Sequence, residues 1–295
     1  MRFANVLMSS PNTHKERLAD MVTRSDRNAW AESIEPLIRQ MSPYPISYDV
    51  AATQATNFAE FTYTEFAGGV FITTQSIDIN TRLLEQAAEW KGDLEAIKNN
   101  WPKILKDKYD LHREKEPDFK YPEKVLLTPA NNAFDLLSWE TMCRVCHDND
   151  DARIKPHPLC DMEGVQKMVE RVGWNKIIPW EHSGMDYLIN CKEAWTTSCS
   201  ELTAIGALLG KKIYNMGNYF HEADGAYFSL ARNIYAAENQ QECILRMASC
   251  EFSGLIFPWQ SEEEIKIRIQ KYYEKALELR ELYKPLYVRY PRNRN

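Results

Sequence analysis

The sequence predicts an α/β fold whose main feature is a parallel sheet between Lys124 and Gly217. Three short apolar strands are expected there, at residues 124–127, 152–154 and 194–196. Segments of helical length alternate with them, at residues 133–147, 162–172 and 200–209. Short apolar strands that alternate with helices are typical of βαβ units, in which the strands run parallel and the helices cover the sheet.

The region before this sheet is predicted to contain helices around a strand pair. Residues 13–41 have the apolar spacing of a helix. Residues 58–79 are rich in Phe, Tyr, Thr, Val and Ile around Gly68 and Gly69, which predicts one or two strands with a tight turn. A further helix is expected over residues 81–97.

Two further segments divide the chain. The charged, proline-interrupted stretch 98–123 is interpreted as a connection, with a domain boundary near Tyr121. Ser261 and Glu264 have the spacing of a capping box, and the apolar residues after them predict a long C-terminal helix that ends at Pro285. The expected parts are therefore residues 1–121, 122–260 and 261–295.

The composition of the chain limits the classes of protein to which it can belong. The chain has 295 residues, of which 44% are hydrophobic and 26% charged, as in globular proteins with a sizeable core. No apolar run reaches the roughly 18 residues of a membrane span, and the first ten residues lack a signal-peptide pattern, so we expect a cytoplasmic protein. The seven cysteines are expected to be reduced thiols. A net charge of −6 is not the footprint of a general nucleic-acid binder.

A cysteine motif in the first predicted helix of the sheet region invites a metal interpretation. The pattern Cys143-x-x-Cys146-His147 matches c-type haem attachment, and with Cys160 it resembles part of a zinc cluster. Haem attachment of that kind needs export, and the motif lies inside a predicted helix. We therefore interpret these cysteines as helical core residues and expect no metal.

Basic residues interleaved with aromatic ones occur at residues 98–109 and in the C-terminal tail. Such a pattern suits contact with nucleic acid, because aromatic rings stack on bases while lysines approach phosphates. Acidic residues resume directly after the first patch, which favours a solvated connection. Both readings stay open at this point.

Polar residues follow the third predicted strand of the sheet. In open parallel sheets, ligands bind beyond the carboxyl ends of the strands. Thr197 and Ser198 come directly after that strand, and either Ser198 or Ser200 is suited to cap the following helix, whose free N–H groups favour an anion. The alternative is that Ser198 and Glu201 form a capping box without a ligand.

The other two strands also end in polar residues. Lys155 and His157 follow the second strand, and the prolines around His157 fix the backbone so that both side chains can be aimed at a phosphate or sugar. The alternative is an ordinary loop histidine and a surface lysine. Asn131 and Asn132 follow the first strand, where they suit either a sugar hydroxyl or a helix cap.

Residues 124–217 resemble the donor-binding domain of GT-B glycosyltransferases, most closely the capsular-polysaccharide transferases of the Kdo-transferring type. The likeness rests on the strand that leads to Asn131-Asn132 and Asp135, on Lys155-Pro156-His157-Pro158, and on the Ser-rich turn, helix and Gly-Lys-Lys strand at 198–213. It covers about a third of the chain. Bacteriophage transferases that glycosylate hydroxymethylated DNA bases are resembled at the same level. One departure is Ile205 and Gly206, where the family has a Glu.

The resemblance implies two Rossmann-like domains in a GT-B arrangement, with residues 1–121 on the acceptor side and 122–260 binding the donor. It implies a nucleotide-sugar donor, a glycan or a hydroxymethylated DNA base as acceptor, and no metal or other cofactor. A viral protein of this kind would act in the host cytoplasm. The residues expected to bind the donor are Asn132, Lys155, His157, Thr197, Ser198, Ser200 and Glu201.

The expected chemistry is glycosyl transfer to a hydroxyl group. Lys155, His157 and the helix after Ser198 would stabilise the leaving nucleoside phosphate. The base that accepts the hydroxyl proton would be Asp78 or Glu65, which lie around the Gly68-Gly69 strands.

Two alternative functions stay open. The first is a protein that binds a nucleotide or phosphorylated ligand without turnover. The second is a polysaccharide-modifying hydrolase, which requires a close pair of carboxylates, whereas the predicted strand ends carry mainly Lys, His, Ser and Asn.

Overall fold

Two four-stranded sheets organise the chain in the computed structural model, which describes residues 29–44, 46–48, 61–74, 76–108, 120–179, 182–218 and 227–289. The strands are β1 Ile46–Tyr48, β2 Phe61–Phe66, β3 Gly69–Thr74, β4 Lys124–Leu127, β5 Ala152–Lys155, β6 Glu193–Thr196, β7 Lys212–Asn215 and β8 Leu255–Ile256. The helices are α1 Ala29–Met41, α2 Ile77–Ala88, α3 Glu95–Lys108, α4 Trp139–Asp148, α5 Met162–Val172, α6 Gly184–Asn190, α7 Leu202–Leu208, α8 Phe228–Ala236, α9 Gln240–Ser249 and α10 Glu262–Arg289.

The second sheet is entirely parallel and confirms the α/β class predicted from the sequence. Its strand order is β5-β4-β6-β7. The three predicted strands are all present, and β7 extends the sheet on the far side of β6. A short 3-10 turn at Asn131–Leu136 replaces the start of the helix predicted at 133–147, and a second 3-10 turn follows α5 at Trp174–Lys176.

The first sheet differs from the parallel sheet that two Rossmann-like domains would require. Its order is β1-β2-β3-β8, and among its described strands only β1 and β2 pair in parallel. The predicted strand pair around Gly68 and Gly69 is confirmed as the β2–β3 hairpin. A hairpin with a two-residue turn can form only between antiparallel strands, so this topology follows from the short connection itself.

The two sheets share one hydrophobic core. That core runs from the first sheet and α2 to one face of the parallel sheet, where Val125, Leu127 and Ala194 belong to it. A second, smaller cluster with Leu126 and Ile154 fills the opposite face under α4 and α5. After β7 the chain returns to the first sheet, because α8 and α9 pack on α2 and β8 pairs with β3. The predicted boundary near Tyr121 therefore separates the sheets along only part of the chain.

Helix boundaries in the first half depart from the sequence prediction. The predicted helix at 81–97 is two helices, α2 and α3, and α3 restarts where the Asp93 carboxylate accepts the Glu95 N–H at 2.9 Å. The segment interpreted as a connection is helical to Lys108, with Pro102 inside the helix. Burial of Trp101 and its neighbours on one face offsets the roughly 3 kcal/mol that an internal proline costs. Residues 13–28 of the first predicted helix lie outside the described residues.

The long C-terminal helix is confirmed, and its start is the predicted capping box. The Ser261 N–H donates to the Glu264 carboxylate at 2.7 Å, and the Glu264 N–H donates to the Ser261 hydroxyl at 3.3 Å. The predicted end at Pro285 is wrong, because the helix continues to Arg289. A proline removes one hydrogen bond, which a helix can absorb when the turns before it are held by tertiary packing. None of the helices in the described ranges is long and apolar enough to cross a membrane.

Candidate functional site

The parallel sheet has a switch point between β4 and β6. The chain leaves β4 towards α4 on one face of the sheet and leaves β6 towards α7 on the other face. Loops that diverge in this way leave a crevice at the carboxyl ends of the two strands, which is where open α/β sheets bind their ligands. The loop residues at this crevice are Thr128 to Asn131 after β4 and Thr197 to Glu201 after β6.

The loop after β6 presents buried hydroxyl groups at the crevice. Thr197 is fully buried and Ser198 nearly so. The Thr197 hydroxyl lies 3.1 Å from the Cys199 thiol. Ser200 performs the capping role, since its hydroxyl accepts the Leu202 N–H at 3.2 Å. Ser198 is therefore placed beside the crevice while Ser200 orders the first turn of α7.

A network of hydroxyl groups fixes this loop from below. The Thr196 hydroxyl lies 2.8 Å from those of Thr203 and Tyr235. The Tyr235 hydroxyl also donates to the Thr196 carbonyl at 3.1 Å. Because the three groups come from β6, α7 and α8, the loop that begins at Thr197 is held on both sides.

A small depression beside the loop adds a cation that the sequence did not single out. It is lined by Ser198, Asn215 at the end of β7, and three residues of α8. Those three are Phe228, Arg232 and Tyr235. Within the described part of the chain the exposed Arg232 guanidinium forms no salt bridge, so it is available to an anion beside Ser198. The spacing of Phe228, Arg232 and Tyr235 on one helix face was the only sequence signal that could have indicated it.

The end of β5 supplies a buried lysine. Lys155 is only 2% exposed, and its ammonium donates to the Pro156 carbonyl at 2.8 Å. It stands opposite Leu127 in the parallel register. Two strand spacings, roughly 10 Å, separate the end of β5 from the loop after β6. Lys155, Thr197 and Ser198 are therefore close enough to contact one ligand of nucleotide size.

His157 lies next to Lys155 as a neutral imidazole. Its Nδ1 accepts the Leu159 N–H at 3.1 Å, which leaves the proton on Nε2. Although part of the residue surface is exposed, burial of the ring and, to a lesser extent, the Lys155 charge lower its pKa to about 4. At neutral pH, His157 can therefore donate a hydrogen bond to a phosphate but carries no positive charge.

The loop after β4 is tied to α5. The Asn131 amide donates to the Asp161 carboxylate, and that carboxylate accepts the Gly164 N–H at 2.7 Å as the cap of α5. Asp161 is therefore the cap of α5, and Asn131 supports that cap instead of capping a helix itself. The Asn132 side chain lies outside the described residues, so its donor-binding role stays a prediction.

The two base candidates do not share a site. Asp78 is exposed in the first turn of α2, beyond the open end of the β2–β3 hairpin. Glu65 lies near the turn of the same hairpin, opposite Val70. Val70 and Thr74, the latter near Asp78, are four residue steps apart along β3, a distance of roughly 13 Å. Only Glu65 lies at the end of the hairpin that contacts the parallel sheet.

Glu201 contacts the first sheet. Its carboxylate accepts the Ala67 N–H at 2.9 Å and the Lys108 ammonium at 3.1 Å. Ala67 belongs to the hairpin turn and Lys108 ends α3. These contacts differ from the capping box with Ser198 that the sequence offered as an alternative.

The basic segment and the cysteine motif of the sequence both contain residues that are buried in the core. Trp101 in the basic segment is fully buried, so its ring cannot stack on a base. Cys146 lies in the core, where burial raises the pKa of its thiol to about 11. All seven cysteines are free thiols. Within the described ranges, no group of His, Cys, Asp or Glu side chains is arranged to hold a metal ion.

The chain matches no family model, no curated protein and no solved structure. The class that fold and site define is an α/β protein with a doubly wound parallel sheet and polar loops at its switch point.

Proposed function

We propose that the protein is a GT-B-like glycosyltransferase that binds a nucleotide sugar at the carboxyl ends of β4, β5 and β6. The observation that carries this proposal is the switch point, where buried Lys155 and the hydroxyl-bearing loop 197–200 lie at the carboxyl ends of strands in one parallel sheet. An ammonium group at the carboxyl end of a strand offers positive charge where open α/β sheets bind their ligands. The phosphates of a nucleotide sugar are anions that would suit this position.

The side chains around the crevice suit the leaving group of glycosyl transfer. As the bond between sugar and phosphate breaks, negative charge grows on the phosphate oxygens. Lys155 and Arg232 offer positive charge, His157 offers a neutral N–H, and the Ser198 hydroxyl offers a further donor. Preorganised donors in a partly buried site stabilise such charge more than water does.

The acceptor hydroxyl would attack the anomeric carbon and lose its proton to a base. Glu65 is the better candidate of the two predicted carboxylates, because the hairpin end that carries it contacts the loop after β6. The first sheet would then occupy the acceptor side, as the GT-B arrangement implies. The acceptor would be a glycan or a hydroxymethylated DNA base.

One observation favours a second function, the binding of a phosphorylated ligand without turnover. Glu201, the acidic residue of the loop, is engaged by Ala67 and Lys108, and Asp78 lies away from the crevice. Glu65 is then the single acidic candidate for the base. A binding protein needs the same cations and hydroxyl groups but no base.

A thermal-shift screen against nucleotides and nucleotide sugars tests both functions. Wild type is compared with His157→Ala and Ser200→Ala, and with the matched controls His147→Ala, an exposed histidine, and Ser76→Ala, which removes a comparable cap from α2. We expect one nucleotide family to stabilise the protein by about 2.7 kcal/mol at a hundredfold excess over Kd. That gain should shrink in the two site variants and persist in the controls.

Turnover separates the two candidates. The nucleotide sugar that stabilises the protein is incubated with glycan acceptors and with hydroxymethylated DNA, and release of the nucleoside phosphate is measured. Release that depends on an acceptor supports the transferase, and Glu65→Gln should abolish it while binding persists. Binding without release supports the second function, and the absence of binding by any nucleotide contradicts both.

A further inference from the structure

We infer that Glu201 is a positioning residue that makes the shape of the loop after β6 depend on the docking of the β2–β3 hairpin. This assigns to Glu201 a role other than the donor contact expected from the sequence. The inference rests on the proposed function only for the identity of the ligand at that loop. The contacts themselves stand without it.

The Glu201 carboxylate joins two segments that are far apart in the chain. Oxygen Oε2 accepts the Ala67 N–H at 2.9 Å, and both oxygens lie 3.1 Å from the Lys108 ammonium. The Lys108 and Glu201 side chains are 27% and 25% exposed, so water screens this pair less than it screens a surface pair. A hydrogen bond to a charged group is worth more than a neutral one.

The hairpin side of this contact is rigid. Ala67 has a φ of 47° in the turn, and Gly68 follows it with a φ of 83°. The Ala67 carbonyl accepts the indole N–H of Trp101 at 3.0 Å. Trp101 is fully buried and packs on Phe66. The peptide group of Ala67 is thus held from both sides, and Glu201 is anchored to a fixed point.

The loop side transmits the contact to the crevice. The Ser200 N–H donates to the Thr197 carbonyl at 3.1 Å, and the Ile205 N–H donates to the Glu201 carbonyl at 3.2 Å. Glu201 therefore links this turn to the start of α7. If its carboxylate loses the hairpin, the turn with Thr197 and Ser198 loses its outer support. Docking of the hairpin and order in the loop are then coupled through one side chain.

Cys199 reports on the loop directly, because it lies within the turn and is partly exposed. Its rate of alkylation by N-ethylmaleimide is measured by peptide mass spectrometry, with the partly exposed Cys143 on α4 as internal reference. The test variants are Glu201→Gln and Lys108→Met. Two variants remove similar ion-pair partners elsewhere and serve as controls, Glu193→Gln on β6 and Lys98→Met on α3.

The two test variants separate loosening from simple electrostatics. Removing the negative charge of Glu201 lowers the pKa of a nearby thiol and speeds alkylation, whereas removing the positive charge of Lys108 has the opposite effect. Loss of loop support speeds alkylation in both. We expect Cys199 to react roughly fivefold faster in both variants. A rate increase of this size is expected when the loss of one partly screened ion pair favours local opening of the loop. Cys143 and the two controls should keep the wild-type rates.

Each other result overturns the inference. An unchanged or slower rate in Lys108→Met would show that charge alone acts on Cys199. A parallel increase at Cys143 would show global destabilisation instead of a local effect. The labelling needs no ligand, so failure of the nucleotide screen leaves this test intact. If a nucleotide does bind, it should protect Cys199 in wild type and bind roughly fivefold more weakly to Lys108→Met.

Discussion

Buried polar side chains have different surroundings in the two sheets of this protein. In the first sheet, the buried Thr62 and Thr73 hydroxyl groups lie 2.8 Å apart on paired strands and satisfy each other. In the parallel sheet, Lys155 and Ser198 are buried at or just after the carboxyl ends of strands, where open α/β sheets bind their ligands. This difference supports the proposal that the first sheet is scaffold and that the second carries the site.

The contrast predicts where mutations reduce stability and where they reduce binding. Residues of the hairpin and its aromatic neighbours should govern the free energy of unfolding. Residues at the ends of β5 and β6 should govern ligand binding with smaller effects on stability. Four experiments examine this division.

The largest effect is expected for Trp101→Ala. The substitution removes a fully buried indole and its hydrogen bond to the Ala67 carbonyl, so it should lower the free energy of unfolding by about 3–5 kcal/mol. Urea unfolding measures this value. Trp174→Ala is the control, because that ring is 60% exposed and its loss should cost less than about 0.5 kcal/mol. Similar costs for the two variants would contradict the scaffold role of the hairpin.

A smaller effect is expected from pH. Because the pKa of His157 in the folded protein is about 4, below the ordinary value of 6.5, the unfolded chain binds a proton first as the pH falls. Stability is then lost between pH 6.5 and pH 4 and levels off below that range. Since the residue is partly exposed, we expect a loss of about 1–2 kcal/mol.

His157→Gln isolates this contribution. The variant should show a flatter dependence of unfolding free energy on pH between 4 and 6.5 in urea titrations. His147→Gln, which replaces an exposed histidine of α4, should keep the wild-type profile. An unaltered profile in His157→Gln would show that the imidazole is not neutral in the folded protein.

A smaller decrease in the free energy of unfolding is expected for a substitution in the cap of the long helix α10, which packs on the first sheet. Ser261→Ala removes the hydroxyl that accepts the Glu264 N–H, and should lower the free energy of unfolding by about 1 kcal/mol. Glu263→Ala in the same turn leaves the capping box intact and should cost a few tenths of a kcal/mol. Ligand binding should be unchanged in both, since α10 lies away from the crevice. A large loss of binding would refute the division between scaffold and site.

The smallest effect on stability is expected for Lys155→Met. Removing a buried ammonium relieves its desolvation but also removes its hydrogen bond to the Pro156 carbonyl, so the free energy of unfolding should stay within about 1 kcal/mol of wild type. Stabilisation by the nucleotide should be lost. Lys176→Met is the matched control, because that lysine is also buried but donates to the Asn149 carbonyl, just before the amino end of β5. Equal loss of binding in both would contradict the proposed site.

Several elements could be predicted because local pattern and tertiary environment agree. The strand at 124–127 and the helix at 162–172 have the predicted boundaries. The strand is a short apolar run in a sheet covered on both faces, and the helix has a cap at Asp161 and a glycine after its end. Where the local pattern and the tertiary environment disagree, packing determines the secondary structure. The helix α3 continues through Pro102 because Trp101 and Leu105 are buried on its inner face.

The chemistry of the site was only partly predictable. Lys155, Thr197 and Ser198 could be proposed because they follow predicted strands, and parallel strands bring such residues to one edge. Arg232 and Tyr235 were not singled out, since they lie on a helix that reaches Ser198 only through the return of the chain to the first sheet. The contact of Glu201 with Ala67 spans 134 residues of sequence, and no local pattern indicates it.

By itself, the sequence determined the class of the fold, the alternation of strands and helices in the parallel sheet, and the polar character of its strand ends. These follow from periodicity and turn residues, which act over a few positions. Only the tertiary structure decided the strand order, the mixed first sheet, the shared core, the partners of Glu201 and the position of Arg232 beside Ser198. These depend on contacts between distant segments, and such contacts are selected by the burial of whole surfaces, which a local pattern does not specify.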